Sequence, residues 1–370
     1  MIIAIEGNEA NTNIRVGVSN YCYYLIKEFS KIKTNNIKFN VILKNDPVSD
    51  LPVANNQLQY QIVKGSPMWL RFWVSLHLLK KRLLNSYNLY FAPAHYTPKF
   101  IFFPLVVTIH DLAYLYFPDE FKKIDLYKLN NWTKESVLKA KQIIAVSKTT
   151  KKDLIKNYQI QEDKIKVIYN GFTQPKDDYK TEKLSFNLAE KKYFIFIGTL
   201  QPRKNITRLI KAFEVFKDRT GSDFKLVIVG KKGWFYDKIF HQTNQSKYKS
   251  DIIFTDYVED KVKNRLLQTA FAYINPGLYE GFGMPILDAF YFKIPTAVSF
   301  TGALPEVGGK AVEYFNPYQV QDIAKSMYDL FQYPRLRQNL IKEGTNRLKE
   351  FSWKNTAEKT LEVFIANAKV

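Results

Sequence analysis

Short runs of apolar, β-branched and aromatic residues recur along the chain, separated by longer stretches in which apolar residues return every three or four positions. The runs predict strands at Ile2–Ile5, Phe39–Leu43, Leu89–Phe91, Leu105–Ile109, Ile143–Val146 and Lys166–Tyr169. A polar stretch, Thr173–Leu184, carries Pro175 and several charges and interrupts the alternation. The pattern restarts with Tyr193–Ile197, Phe224–Val229, Ile252–Thr255, Phe271–Ile274, Pro295–Ser299 and Val312–Phe315. Strands this apolar, alternating with helices, belong to parallel sheets covered on both faces. The expected fold class is therefore α/β, with two doubly wound parallel-sheet domains over residues 1–172 and 185–350. A closing amphipathic helix, Lys354–Ala368, follows Phe351-Ser352-Trp353 and is free to pack on either domain.

Length agrees with that division, because 370 residues exceed what one hydrophobic core organises comfortably. The net charge of +20 would favour phosphate-bearing ligands, anionic lipid or nucleic acid. Both halves are basic, however, and no charged tail stands out. A nucleic-acid role would rest on charge alone, and none is expected. A diffuse lysine bias and a membrane-surface role both remain open. The single cysteine, Cys22, excludes an internal disulfide and fits a reducing cytoplasm. The chain opens directly on an apolar strand, so no signal peptide is expected. The apolar stretches, such as Ile101–Ile109, are too short to span a bilayer.

Segment Pro67–Leu84 combines Trp69, Phe72 and Trp73 with Arg71, Lys80, Lys81 and Arg82, a composition suited to a lipid headgroup boundary. The same composition also suits a helix packed on the first sheet. Either reading is compatible with the residues.

Doubly wound sheets bind ligands beyond the carboxyl ends of their strands, and three segments there carry chemistry. Gly198-Thr199-Leu200-Gln201-Pro202-Arg203-Lys204-Asn205 follows a strand and precedes the helix expected over Thr207–Phe216. Two cations at a helix amino terminus oppose the macrodipole, so a bound anion such as a diphosphate explains them. In Pro276-Gly277-Leu278-Tyr279-Glu280-Gly281-Phe282-Gly283-Met284-Pro285-Ile286-Leu287-Asp288, the glycines admit a ligand close to the backbone, and Pro285 suits a helix start. Of its carboxylates, one suits a donor sugar and the other ribose hydroxyls. His110, in Val107-Thr108-Ile109-His110-Asp111-Leu112, ends a strand at the expected ligand edge.

Taken together, these segments resemble the large family of retaining group 1 glycosyltransferases of GT-B architecture, in which two Rossmann-like domains face each other across a cleft. The resemblance runs over essentially the whole chain. It includes Gly17, His110-Asp111-Leu112, Ala145-Val146-Ser147, Val167-Ile168-Tyr169-Asn170-Gly171, Arg203-Lys204-Asn205, the Glu280-to-Asp288 loop and Phe351-Ser352-Trp353. It implies that Arg203 and Lys204 hold the donor diphosphate, with the amide of Gly17 as a further contact and Gly198 in the adjoining turn. Glu280 would contact the donor sugar, with the amides of Gly281, Phe282 and Gly283 beside it. His110 would lie next to the same sugar, and Tyr257 and Val258 would meet the base. The family pattern has two Glu with seven residues between them; here the second is Asp288, one methylene shorter, which leaves ribose contact in place and nucleotide preference open.

The implied reaction is a front-face transfer in which the leaving diphosphate takes the acceptor's proton. No compact Asp-x-Asp or His cluster has metal-ligand spacing, so no metal and no cofactor beyond the sugar nucleotide are expected. The implied partners are a nucleotide-sugar donor, with a lean to GDP-mannose, and a glycan or lipid-linked glycan acceptor. The implied place is the cytoplasm, with the inner face of the membrane a further option. A sugar-nucleotide epimerase of the same architecture and a non-catalytic partner protein are the alternatives.

Overall fold

The computed structural model describes residues 1–32, 36–84 and 86–369. The chain forms two α/β units. In the first, β1 (Ile2–Glu6), β2 (Lys38–Leu43), β3 (Leu58–Ile62), β4 (Leu89–Ala92), β5 (Leu105–Ile109), β6 (Gln142–Ala145) and β7 (Ile165–Val167) make one sheet in the order β3-β2-β1-β4-β5-β6-β7. The second sheet holds β8 (Tyr193–Ile197), β9 (Lys225–Val229), β10 (Ile252–Phe254), β11 (Ala272–Asn275), β12 (Thr296–Ser299) and β13 (Glu313–Phe315), in the order β10-β9-β8-β11-β12-β13. Every pairing is parallel. In both sheets the order reverses beside the first strand, placing a switch point between β1 and β4 and another between β8 and β11.

All twelve expected strands form, with ends shifted by at most two residues. The thirteenth, β3, was not expected. It reads Leu-Gln-Tyr-Gln-Ile, lies at the sheet edge and is only partly buried, so it needs no apolar run.

The cores follow from the strand composition. In the second unit, Phe194 of β8 meets Phe216 of the helix Ile206–Thr220 edge-on at 5.0 Å, and Phe224 meets Phe271 at 5.0 Å. Edge-to-face packing of this kind adds to burial alone. Much of the aromatic content is thus structural.

Residues Phe117–Phe121 group with the second unit, although the sequence places them in the first domain. The helix Trp353–Asn367 groups with the first unit. There Trp353 stacks on Tyr24 at 5.1 Å, Phe364 packs on Phe91 at 4.8 Å, and the Thr356 hydroxyl donates to the Tyr169 carbonyl at 2.7 Å. The polar stretch after Gly171 is anchored too, because Tyr179 is buried with its ring 5.2 Å from that of Phe292.

The segment Pro67–Leu84 divides between a packed face, where Val74, Ser75 and Leu78 are buried, and an exposed one carrying Phe72, Leu76, Leu79 and Leu83. Only Trp73–Leu83 is helical. Trp69 is buried and donates its indole N–H to the Val63 carbonyl at 2.5 Å. Arg71 is also buried, 2.5 Å from Glu135 and over the Trp132 ring. These two residues anchor the segment to the unit and are withdrawn from any lipid surface.

Candidate active site

The loop leaving β8 brings the two cations to the second sheet's switch point. Gly198 lies at the strand's end, and a Cβ there would stand 3.1 Å from the Phe196 ring and 3.7 Å from Cε of Lys204. The short turn Pro202–Lys204 then carries Arg203 and Lys204 ahead of the helix Ile206–Thr220. Asn205 sets the angle between turn and helix. It is buried, takes left-handed backbone angles (φ 59°), and its amide donates to the carbonyls of Pro276 at 3.0 Å and Pro317 at 2.8 Å. A residue without a short polar side chain would lose both ties and be strained there.

The loop leaving β11, the strand paired with β8, supplies the carboxylate. Lys204 pairs with Glu280, and the Arg203 guanidinium stands 3.9 Å from the same carboxylate while donating to the Tyr279 carbonyl at 3.1 Å. The loops are stitched together by the Leu278 N–H donating to the Arg203 carbonyl at 2.8 Å. Gly302, with φ 60°, lies against the Glu280 backbone, where a Cβ would come within 2.7 Å of its nitrogen. Gly283, with φ 101°, caps the helix Met284–Tyr291, and Pro285 sits in its first turn. Pro285 has no N–H to satisfy there, and the Ile286 N–H donates to the Gly283 carbonyl at 3.0 Å. The Phe282 side chain is buried, so only its backbone can serve a ligand. The trio of two cations and one carboxylate leaves a net positive charge, which suits a diphosphate.

Glu120 is an addition that the sequence did not signal. Its carboxylate accepts the backbone N–H of Arg203 at 2.9 Å, and burial pushes its pKa up. Phe117, from the same segment, packs on Tyr279 at 6.4 Å.

Asp288 lies on the helix behind Glu280 and faces Lys263 at 3.9 Å. Burial raises its pKa, and Lys263 counters that. Tyr257 is exposed and Val258 half-buried in the loop after β10. That loop is tied to the end of β9 by the Gly230 N–H donating to the Asp256 carbonyl at 3.1 Å. Gly198, Asp256–Val258, Glu280 and Gly302 thus share the carboxyl edge of one sheet.

The first unit carries its own edge groups. Gly17 opens the helix Val18–Phe29 with φ 50° and ψ −111°, a conformation that favours glycine, and it is exposed. One turn on, Tyr21 packs edge-on against His110 at 4.8 Å and shares a hydrogen bond with Thr108 at 3.1 Å. His110 is buried, and its Nε2 must carry the proton because it bonds the Pro93 carbonyl at 2.9 Å. His95, in the loop after β4, lies 5.7 Å from His110, and its buried Nδ1 has no hydrogen-bond partner among the described residues. Like His110 it follows a strand of the first sheet, and that position was its only signal in the sequence.

Burial, then the neighbouring His95, lower the pKa of His110 to about 4 from its ordinary 6.5. The unfolded chain therefore takes up the proton first, and stability is complete above about 6.5 and lost as pH falls toward about 4. Glu6, at the end of β1, tilts the opposite way: burial and Glu9 raise its pKa to about 8, so its contribution declines as pH rises from 4.5 to about 8. The test is a comparison of urea unfolding at pH 7 and pH 5. Acidification should cost His110→Gln ~2 kcal/mol less than wild type. An equal loss in both would show that His110 is not held neutral.

Residues 178–347 match the model for glycosyl transferases group 1, and residues 16–173 match the model for glycosyltransferase family 4. The O-antigen chain mannosyltransferase B of Escherichia coli is 26% identical over 324 residues, covering 85% of each chain. Sucrose-phosphate synthase of Thermosynechococcus elongatus superposes with a TM-score of 0.75 at 15% identity, covering 99% of this chain and 98% of that one. Anabaena HepE, crystallised with UDP and glucose, gives a TM-score of 0.72 at 15% identity, covering 98% and 99%. The chain belongs to the group 1 glycosyltransferases and has their two-domain GT-B architecture.

Proposed function

We propose that the protein is a retaining, metal-independent hexosyltransferase that moves mannose from GDP-mannose to a glycan or lipid-linked glycan acceptor in the cytoplasm. The observation that carries this reading is the meeting of Arg203, Lys204 and Glu280 at the switch point between β8 and β11. Arg203 and Lys204 stabilise the charge that grows on the departing diphosphate, while Glu280 orients them and accepts from the donor sugar's hydroxyls. The amides of Gly281 to Gly283 border the sugar and phosphate, Asp288 accepts from ribose, and Tyr257 with Val258 flanks the base. On the first unit, His110, as a neutral ring, and Gly17 are assigned to the sugar and diphosphate. The mannosyl choice is supported by the name of the E. coli relative, and the nucleotide-sugar donor by the UDP and glucose bound to HepE.

The test incubates the protein with GDP-mannose, UDP-glucose and UDP-N-acetylglucosamine, with and without EDTA, and measures nucleotide release. GDP release from GDP-mannose should be the fastest and indifferent to EDTA, and transfer should give an α-linked product by proton NMR. An epimerised sugar nucleotide without nucleotide release, or a β-linked product, would overturn the reading.

A further inference from the structure

We propose that Glu120 is a positioning residue of the transfer reaction, whose carboxylate fixes the backbone of the turn carrying Arg203 and Lys204 and so aims both cations. The inference rests on the reading of those cations as the cradle of the donor diphosphate. Glu120 lies in Phe117–Phe121, a stretch that leaves the first unit after Tyr116, groups with the second, and returns to the first at Lys122. Its residues Pro118–Glu120 form one short turn, and so small a piece gains little from its own hydrogen bonds. Two of its contacts reach the loops of the site. Phe117 packs on the Tyr279 ring, and the Glu120 carboxylate accepts the Arg203 N–H at 2.9 Å.

The turn Pro202–Lys204 explains why an acceptor is needed there. Pro202 has no N–H. The Lys204 N–H donates to the Gln201 carbonyl at 3.0 Å and the Asn205 N–H to the Pro202 carbonyl at 2.8 Å, so the turn closes on itself. That leaves the Arg203 N–H for a partner from outside the turn. The rest of Arg203 is already tied to the loop after β11. Its carbonyl accepts from Leu278 at 2.8 Å, and its guanidinium donates to the Tyr279 carbonyl at 3.1 Å. Glu120 completes the set from 83 residues earlier in the chain. Lys204 follows directly, so its ammonium inherits the direction of the clamped residue.

A neutral carbonyl could accept the same N–H. A carboxylate makes the bond roughly twice as strong, and it also brings a cost. Its negative charge lies beside the cations, where it opposes the charge of an arriving diphosphate. Positioning and repulsion therefore act on different steps. Cations aimed in advance count most as negative charge develops on the leaving group. Repulsion is already felt by a nucleotide that is merely bound. Removing Glu120 should then slow turnover without weakening nucleotide binding, whereas a residue that only stabilised the fold would lose both together.

The test pairs turnover with equilibrium binding in the full chain. Turnover uses GDP-mannose or UDP-glucose, whichever wild type consumes faster, and calorimetry uses the matching GDP or UDP. Glu120→Ala should lower kcat on the order of tenfold and leave nucleotide affinity equal or higher. Glu120→Gln keeps an acceptor oxygen and loses the charge, so it should recover most of kcat and bind the nucleotide about threefold tighter than wild type. Asp119→Asn removes a charge from the exposed neighbour and should change neither value by more than about twofold. Thermal melts check that each variant is folded, and Glu120→Gln decides alone should Glu120→Ala unfold. Lys204→Ala tells the two levels apart. Should Lys204→Ala cost nothing, or wild type bind neither nucleotide, the diphosphate reading falls and this inference with it. Where Lys204→Ala does lose activity, three results overturn the role of Glu120 alone. These are an unchanged kcat in folded Glu120→Ala, a loss of its nucleotide affinity in step with kcat, or weaker nucleotide binding by Glu120→Gln.

Discussion

Replacing Lys204 by alanine should lower kcat/KM for the sugar nucleotide on the order of a hundredfold while leaving the protein folded. Lys204 is the cation most tightly held at the switch point, paired with Glu280 and carried on the turn that opens the helix Ile206–Thr220. A point charge aimed at the leaving diphosphate acts most strongly as negative charge develops there, so its loss is felt in the rate more than in binding. Folding should survive because Arg203 remains 3.9 Å from Glu280 and the site is not fully enclosed. Lys204→Arg should recover part of the loss, since the charge returns with different reach and geometry. Steady-state nucleotide release and a thermal melt read the two consequences separately. A folded Lys204→Ala protein within threefold of wild type, on the order of half a kcal/mol, would remove Lys204 from the chemistry.

The sheets were legible because a strand buried on both faces must be apolar throughout, and twelve such runs stand out. β3 was not legible for the same reason, since an edge strand can keep Gln59 and Gln61. At the second switch point, Arg203, Lys204 and Glu280 were legible as residues whose charges local structure does not explain. What brings them together was not. Asn205 works through a left-handed conformation and two ties to carbonyls 71 and 112 residues away, neither of which leaves a local pattern. The Glu120 bond to Arg203 spans 83 residues and comes from a segment that sequence order assigns elsewhere. In Pro67–Leu84, composition shows aromatic and cationic residues but not which way each points. Trp69 and Arg71 turn inward, where Trp69 donates to the Val63 carbonyl and Arg71 pairs with Glu135, whereas Phe72, Leu76 and Leu83 stay exposed. Periodicity separates the two faces only once the helix start, at Trp73, is known.

Gly230→Ala should destabilise the second unit and weaken donor binding together, although Gly230 carries no functional group. Gly230 follows β9 with φ 147°, a conformation L side chains rarely adopt. A Cβ there would overlap the Gly198 carbonyl oxygen and stand 2.7 Å from its carbon, so backbone rather than a flexible side chain would have to move. Backbone strain and overpacking together should cost about 2–5 kcal/mol. Part of that cost is relieved by displacing Gly198, and Gly198 leads directly into the turn that holds Arg203 and Lys204. Stability and nucleotide affinity are thereby coupled through a single backbone contact. Gly221→Ala separates the two contributions, because Gly221 also has positive φ (60°) but a Cβ there would meet nothing within 4 Å. It should cost only about 1 kcal/mol and leave nucleotide affinity unchanged. Calorimetric unfolding and titration with the nucleoside diphosphate compare the pair. Should Gly230→Ala lose no more than Gly221→Ala in either measurement, the Gly198–Gly230 contact would not be what holds the cations in place.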